Sequence, residues 1–200
     1  MTIPADNLTP MMNQYLRLKK ELKDTILFFR LGDFYEMFLE DAKLCSRILQ
    51  ITLTSREAGK GKKVPMCGVP YHAVETYLNR LLRLGYKVGI CEQVEDPATA
   101  KGLVKREITR IITPGTVLSP GLLEDKENNY LMALCLEGDR AGMAFADLST
   151  GDFEAAELQR KDISDELSRI RPRECLLGEG SDEEKLLDGW KDGVVTKIED

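Results

Sequence analysis

The stretch Thr25–Phe38, TILFFRLGDFYEMF, constrains the fold of this chain more than any other. Thr25–Leu31 has the length and aromatic content of a buried strand. Gly32-Asp33 supplies turn chemistry, and FYEMF predicts a second strand or hairpin arm. The following LEDAKLCSRILQ places Ala42, Cys45, Ile48 and Leu49 on one side of a helix. A hairpin running into an amphipathic helix opens an α/β unit.

The same reasoning extends along the chain. Residues 1–8 read as disordered, and LTPMMNQYLRLKKEL predicts a helix with Thr9 as N-cap and Pro10 in the first helical position. ITLTS predicts a short strand. Ser55–Pro65, SREAGKGKKVP, combines two glycines with four cations and reads as a mobile basic loop. PMCGVPY is extended, HAVETYLNRLLRLG is a helix stopped at Gly85, and YKVGICEQVE is a strand. DPATAKG is a turn, and VKREITRIITPGT alternates as a strand does. VLSPGLLEDKENN reads as a linker. Beyond it, YLMALCLE, RAGMAFADL and DFEAAEL are strands joined by the hairpin turns GD and STG. KDISDELSRIRP is a helix ended by Pro172, and ECLLG is a further strand. The expected layout is a first domain over 1–118, a linker over 119–127 and a partial second domain over 128–200, the last small for an independent core.

Charge separates along the same line. Residues 1–118 hold 18 Lys and Arg against 13 Asp and Glu, or +5; residues 119–200 hold 10 against 21, or −11. The first domain can approach a polyanion, whereas the second is better suited to a basic protein surface. Five dispersed cysteines without a C-x-x-C pair argue against a zinc site or disulfide framework, and for reduced, mostly buried thiols in a cytoplasmic protein. No apolar run approaches the ~20 residues of a membrane span, and the N-terminus lacks signal-peptide character. The lone His72 reads as a helix-start residue.

Catalytic motifs are few. GKGKK has neither the spacing nor the following helix of a phosphate loop, and no dinucleotide fingerprint follows a strand. One enzymatic alternative stands: Asp33, Glu36, Glu40 and Asp41 are oxygen donors of the kind a divalent-metal nuclease uses. Against it, Glu40 and Asp41 suit the positive end of a helix dipole.

On a strand, Phe34 and Glu36 project from one face and Tyr35 from the other, with the first two roughly 6–7 Å apart. A phenyl ring can enter a base step from the minor groove and kink the duplex, and a neighbouring carboxylate can meet the edge of the disturbed base. The plain alternative places Phe34 in the core and Glu36 in solvent.

FFRLGDFYEMFLEDAK closely resembles the start of the bacterial-type MutS DNA mismatch-repair family, with its Phe-x-Glu motif. TPMMNQYLRLK resembles the family's N-terminal helix. VPMCGVPYHAVETYLNRLLRLGYKVGICEQVEDPATAKG, VKREITRIITPGT and FADLSTGDF resemble later stretches in the same order, so the likeness runs from about Thr9 to Phe153. It implies a mixed-sheet α/β mismatch-recognition domain, then the first part of a ribonuclease-H-like connector domain, as the N-terminal piece of a protein roughly four times longer. It implies mismatched double-stranded DNA as ligand, with ATP and magnesium, a homodimer and a MutL-type repair partner for the full-length protein and no cofactor in this piece. By resemblance Phe34 is the intercalating wedge and Glu36 the base-contacting carboxylate. Candidate backbone and groove contacts are Arg56, Lys60, Lys62 and Lys63 of the basic segment, Leu31 and Asp33 beside the wedge, and more distantly Met66 and Arg106.

Overall fold

A computed structural model describes residues 8–22, 24–96, 99–100, 102–123, 127–179, 187 and 190–198. The chain divides between Ile112 and Thr113 into two compact units. Residues 1–7, parts of the DPATAKG turn (97, 98 and 101) and linker residues 124–126 lie outside the described residues.

The first unit comprises α1 (Pro10–Glu21), β1 (Thr25–Leu31), β2 (Phe34–Phe38), α2 (Leu39–Leu49), β3 (Thr54–Gly59), β4 (Lys62–Pro70), α3 (Val74–Arg83), β5 (Lys87–Gln93) and β6 (Arg106–Ile112). Its mixed sheet has the order β3-β4-β2-β1-β5-β6; β1 and β5 run parallel and the other neighbours antiparallel. Helix α1 starts as its sequence dictates. The Thr9 hydroxyl accepts the Met12 N–H at 3.3 Å, and Pro10 occupies a position with no N–H to lose. Its buried stripe, Met12, Tyr15 and Leu18, packs on one face of the sheet. There the Tyr15 ring meets Phe29 and Phe38 edge-on at 5.5 and 5.0 Å. The opposite face carries Tyr35 beside Phe28, and α2 is tied to it where the Cys67 thiol donates to the Ala42 carbonyl at 3.4 Å. Buried Asp41 joins the layers, accepting from Lys19 at 2.8 Å and from the Leu27 N–H at 3.0 Å.

One sequence expectation is corrected here. Ser55–Pro65 is a β-hairpin, β3 paired antiparallel with β4, and not a mobile loop. Lys60 and Gly61 form its two-residue connection, both at positive φ (44° and 73°). That is the backbone of a type I′ loop, whose twist matches the flanking strands. The glycines and lysines that read as breakers are the turn itself. The strand expected at ITLTS accordingly begins only at Thr54. Gln50, in the left-handed region at φ 55°, ends α2 just before it.

The second unit contains β7 (Tyr130–Glu137), β8 (Arg140–Asp147), β9 (Asp152–Gln159), α4 (Ile163–Ile170), β10 (Glu174–Gly178) and β11 (Val194–Ile198). Its sheet order is β11-β10-β7-β8-β9, with β7–β9 antiparallel and β10 and β11 parallel to β7. The three antiparallel strands, α4 and β10 are the elements the sequence predicts, set in a mixed sheet. Met132, Leu134, Met143 and Phe145 form its core with Ile163, Leu167 and Ile170, which recur every three to four residues on α4. Strand β11 goes beyond the sequence expectation. The TPGT turn after β6 belongs to this unit: the Gly115 N–H donates to the buried Glu174 carboxylate at 3.0 Å. A Cβ at Gly115 would lie 2.8 Å from that of Glu174, so glycine is required by the close approach.

All five cysteines are free thiols; Cys135 is exposed and the other four are buried. Among the described residues no helix is long and apolar enough to cross a membrane.

Candidate nucleic-acid interface

The β1–β2 hairpin presents Phe34. Gly32, at φ +57°, takes the first position of the two-residue loop, where the chain needs a left-handed backbone. Leu31 then pairs with Phe34, and on the other side of β2 Phe34 pairs with Pro70 of β4. Phe34 is 46% exposed, whereas Phe28, Phe29 and Phe38 of the same two strands are fully buried. Full burial of such a side chain stabilises a fold by about 1.5–3 kcal/mol, and the fold leaves much of that unclaimed here. The Tyr35 side chain, one residue on, points inward.

The tip is braced from behind. The Gly32 N–H donates to Gln93 Oε1 at 3.2 Å, and the Tyr71 N–H donates to the Asp33 carbonyl at 2.9 Å. The Arg30 guanidinium donates to the Gly32 carbonyl and lies over the Tyr71 ring at 4.0 Å. The Tyr35 hydroxyl donates to Glu92; burial, then that carboxylate, push its phenol up to about 12. Sequence reasoning passes over Arg30, Tyr71, Glu92 and Gln93. Only the PYHA stretch, with an aromatic after a proline, hints at them.

Glu36 lies on the same face as Phe34. Its cross-strand neighbours are Phe29 on β1 and Gly68 on β4. Its carboxylate accepts from Arg56 Nη1 at 2.7 Å. The two side chains differ in exposure, 15% for Glu36 and 41% for Arg56. Burial pushes the Glu36 carboxyl above the usual carboxylate range, and the Arg56 charge opposes that rise only in part. Solvent reaches the pair mainly through the Arg56 side.

The remaining sequence candidates fall into three groups. Lys60, Lys62 and Lys63 are exposed around the β3–β4 turn, and Asp33 is exposed beside the wedge. Leu31 and Met66 are partly buried against the α1-side core. Arg106 is folded inward. It donates to the Arg30 carbonyl at 2.7 Å, the Val104 carbonyl at 2.9 Å and Gln14 Oε1 at 3.1 Å, with its guanidinium over the Phe29 ring. The four carboxylates considered for metal go to separate environments. Glu36 pairs with Arg56, Glu40 with Lys43, Asp41 with Lys19, and Asp33 faces solvent. His72 lies in the short 3₁₀ turn that leads into α3.

Comparison with known proteins accounts for both units. The family model of MutS domain I matches residues 9–120, and that of MutS domain II matches residues 129–199. A DNA mismatch repair protein MutS from Syntrophomonas wolfei is 55% identical over 189 residues, covering 92% of this chain and 22% of that protein. One from Desulforamulus reducens is 57% identical over 175 residues, covering 85% and 20%. One from Dehalococcoides mccartyi is 54% identical over 172 residues, covering 86% and 20%. The chain thus spans about a fifth of the length of these curated relatives. Across both of its units it belongs to the MutS family, of which it carries domains I and II.

Proposed function

We propose that this chain senses mismatched or unpaired bases in duplex DNA, as the N-terminal part of an ATP-dependent mismatch-repair protein. The observation that carries the reading is the exposed Phe34 ring on a braced hairpin, with Glu36 on the same face.

The physics is selection by deformability. Bending a duplex site costs on the order of 1–6 kcal/mol according to its stiffness. A mispair has already lost stacking and pairing, so opening it costs less. Phe34 probes for that weakness. Base–aromatic stacking is worth roughly 1–3 kcal/mol and is indifferent to base identity. Arg56, Lys60, Lys62 and Lys63 contact phosphates, Leu31, Asp33 and Met66 border the groove, and Arg106 supports the hairpin from within. Glu36 meets the displaced base in its protonated form, as a hydrogen-bond donor.

ATP and magnesium act elsewhere in the full-length protein; the sequence here has no phosphate loop. The acidic second unit meets a MutL-type repair partner, the full-length protein works as a homodimer, and its compartment is the cytoplasm.

The test compares the full-length protein with and without Phe34→Ala, on matched and G·T duplexes at one stated salt concentration. Phe34→Ala is expected to lower G·T affinity about tenfold or more and matched-duplex affinity by far less. Unchanged binding to both duplexes would overturn the reading.

A further inference from the structure

We propose that Arg56 gates Glu36: in the DNA-free protein the guanidinium occupies the carboxylate, and duplex phosphates draw it away, freeing Glu36 for the base only after the backbone is engaged. This rests on the mismatch-sensing reading above and adds an order of events to it.

Four observations carry the gate. First, Glu36 and Arg56 sit on β2 and β3, which are not neighbours; β4 lies between them. Their 2.7 Å contact therefore spans a strand and is no routine cross-strand pair. Second, the β4 residue opposite Glu36 is Gly68, which has no side chain to stand beside the carboxylate. Third, the exposures are unequal, 41% against 15%, so an approaching polyanion meets the cation first and the carboxylate only after it. Fourth, Lys60, Lys62 and Lys63 continue along the same hairpin as exposed cations, so the phosphate track they favour runs beside Arg56.

The exchange is chemically easy. Arg56 is the exposed partner, so solvent screens its side of the pair, and a guanidinium matches a phosphate as well as it matches a carboxylate. Once its cation has moved, the covered Glu36 carboxyl favours its protonated form. A proton from solvent then turns the freed acceptor into a donor. An anion next to DNA is thus kept paired until the duplex arrives.

A double-mutant cycle with Arg56→Gln and Glu36→Gln in the full-length protein tests this on a G·T duplex. In the otherwise native protein Arg56→Gln gives up a phosphate partner but no longer has a pair to break, so affinity is expected to change less than about threefold. In the Glu36→Gln background Arg56 is already free, and the same substitution is expected to cost about tenfold. In both backgrounds the salt slope becomes shallower by about 0.9, and Arg56→Lys restores it. Equal costs in the two backgrounds, or an unchanged salt slope, would overturn the gate. Phe34→Ala is the parallel control. If it weakens G·T binding while the cycle shows no coupling, the gate fails alone; if it changes nothing, the mismatch-sensing reading fails.

Discussion

Glu36 of β2 lies directly opposite Gly68 of β4, and a Cβ at Gly68 would sit 3.4 Å from Glu36 Cγ and 3.8 Å from Phe34 Cδ1. Because Gly68 has no side chain, nothing from β4 crowds Phe34 or the paired Glu36 at that position. The same Cβ would come within 3.3 Å of the Tyr35 carbonyl oxygen, so the neighbours must give by a few tenths of an ångström. Gly68→Ala also removes the entropic cost of glycine in a strand, about 0.5–1 kcal/mol. Thermal unfolding should therefore move by less than about 1 kcal/mol in stability, while G·T affinity falls several-fold. A loss of stability with discrimination intact would show that Gly68 serves packing alone.

The three lysines of the β3–β4 turn act through charge. Changing Lys60, Lys62 and Lys63 to Gln together should lower affinity for matched and G·T duplexes by the same factor. The slope of log affinity against log salt should become shallower by up to about 0.9 for each phosphate that is no longer neutralised. A change in the ratio between the two duplexes would mean that these lysines read more than the backbone.

Glu36 gives a pH signature whose sign follows from its environment. Burial raises its carboxyl above the ordinary range despite Arg56. Its contribution to folding stability is thus fully present below the ordinary carboxylate range and lost as pH rises through the raised value. The protonated form is the donor to the base, so preference for G·T over matched DNA should strengthen as pH falls through that range. Glu36→Gln should cost little total affinity, reduce the preference and abolish its pH dependence. If glutamine weakened both duplexes equally, the donor role would be lost.

The sequence makes the architecture legible where local signals agree. Thr9-Pro10 at the start of α1, the apolar run of β1 and the Gly32-Asp33 turn each have one dominant explanation, and each is present. The β3–β4 hairpin escapes a local reading because Lys60-Gly61 is simultaneously a charge cluster and a type I′ loop. Local composition cannot separate those two until the pairing of Arg56 with Val64 is known. The Glu36–Arg56 pair is invisible for a related reason. It joins residues 20 positions apart across an intervening strand, and only the sheet order reveals it. Likewise Arg106 looks like any exposed cation in VKREITRI, and its burial depends on carbonyls from Arg30 and Val104.

The second unit has its own acid-sensitive point at Asp147, the aspartate of FADLSTGDF. It is buried at the end of β8. Oδ1 accepts the Ser149 hydroxyl at 2.6 Å and the Ser149 N–H at 2.9 Å, and Oδ2 accepts the Asn129 N–H at 2.9 Å. Burial alone would raise this carboxyl, but these donors outweigh it and hold it below the usual range. The stability it contributes is therefore present above the ordinary carboxylate range and lost as pH falls through the lowered value. Asp147→Asn keeps the shape but sets an amide against three donors, which should cost about 1–3 kcal/mol at neutral pH. It should also flatten the fall in unfolding temperature towards acid, since the titrating group is gone. Trp190, the single tryptophan of the chain, packs against the second-unit core and reports that transition by fluorescence. An unaltered acid dependence in Asp147→Asn would move the sensitivity to another group.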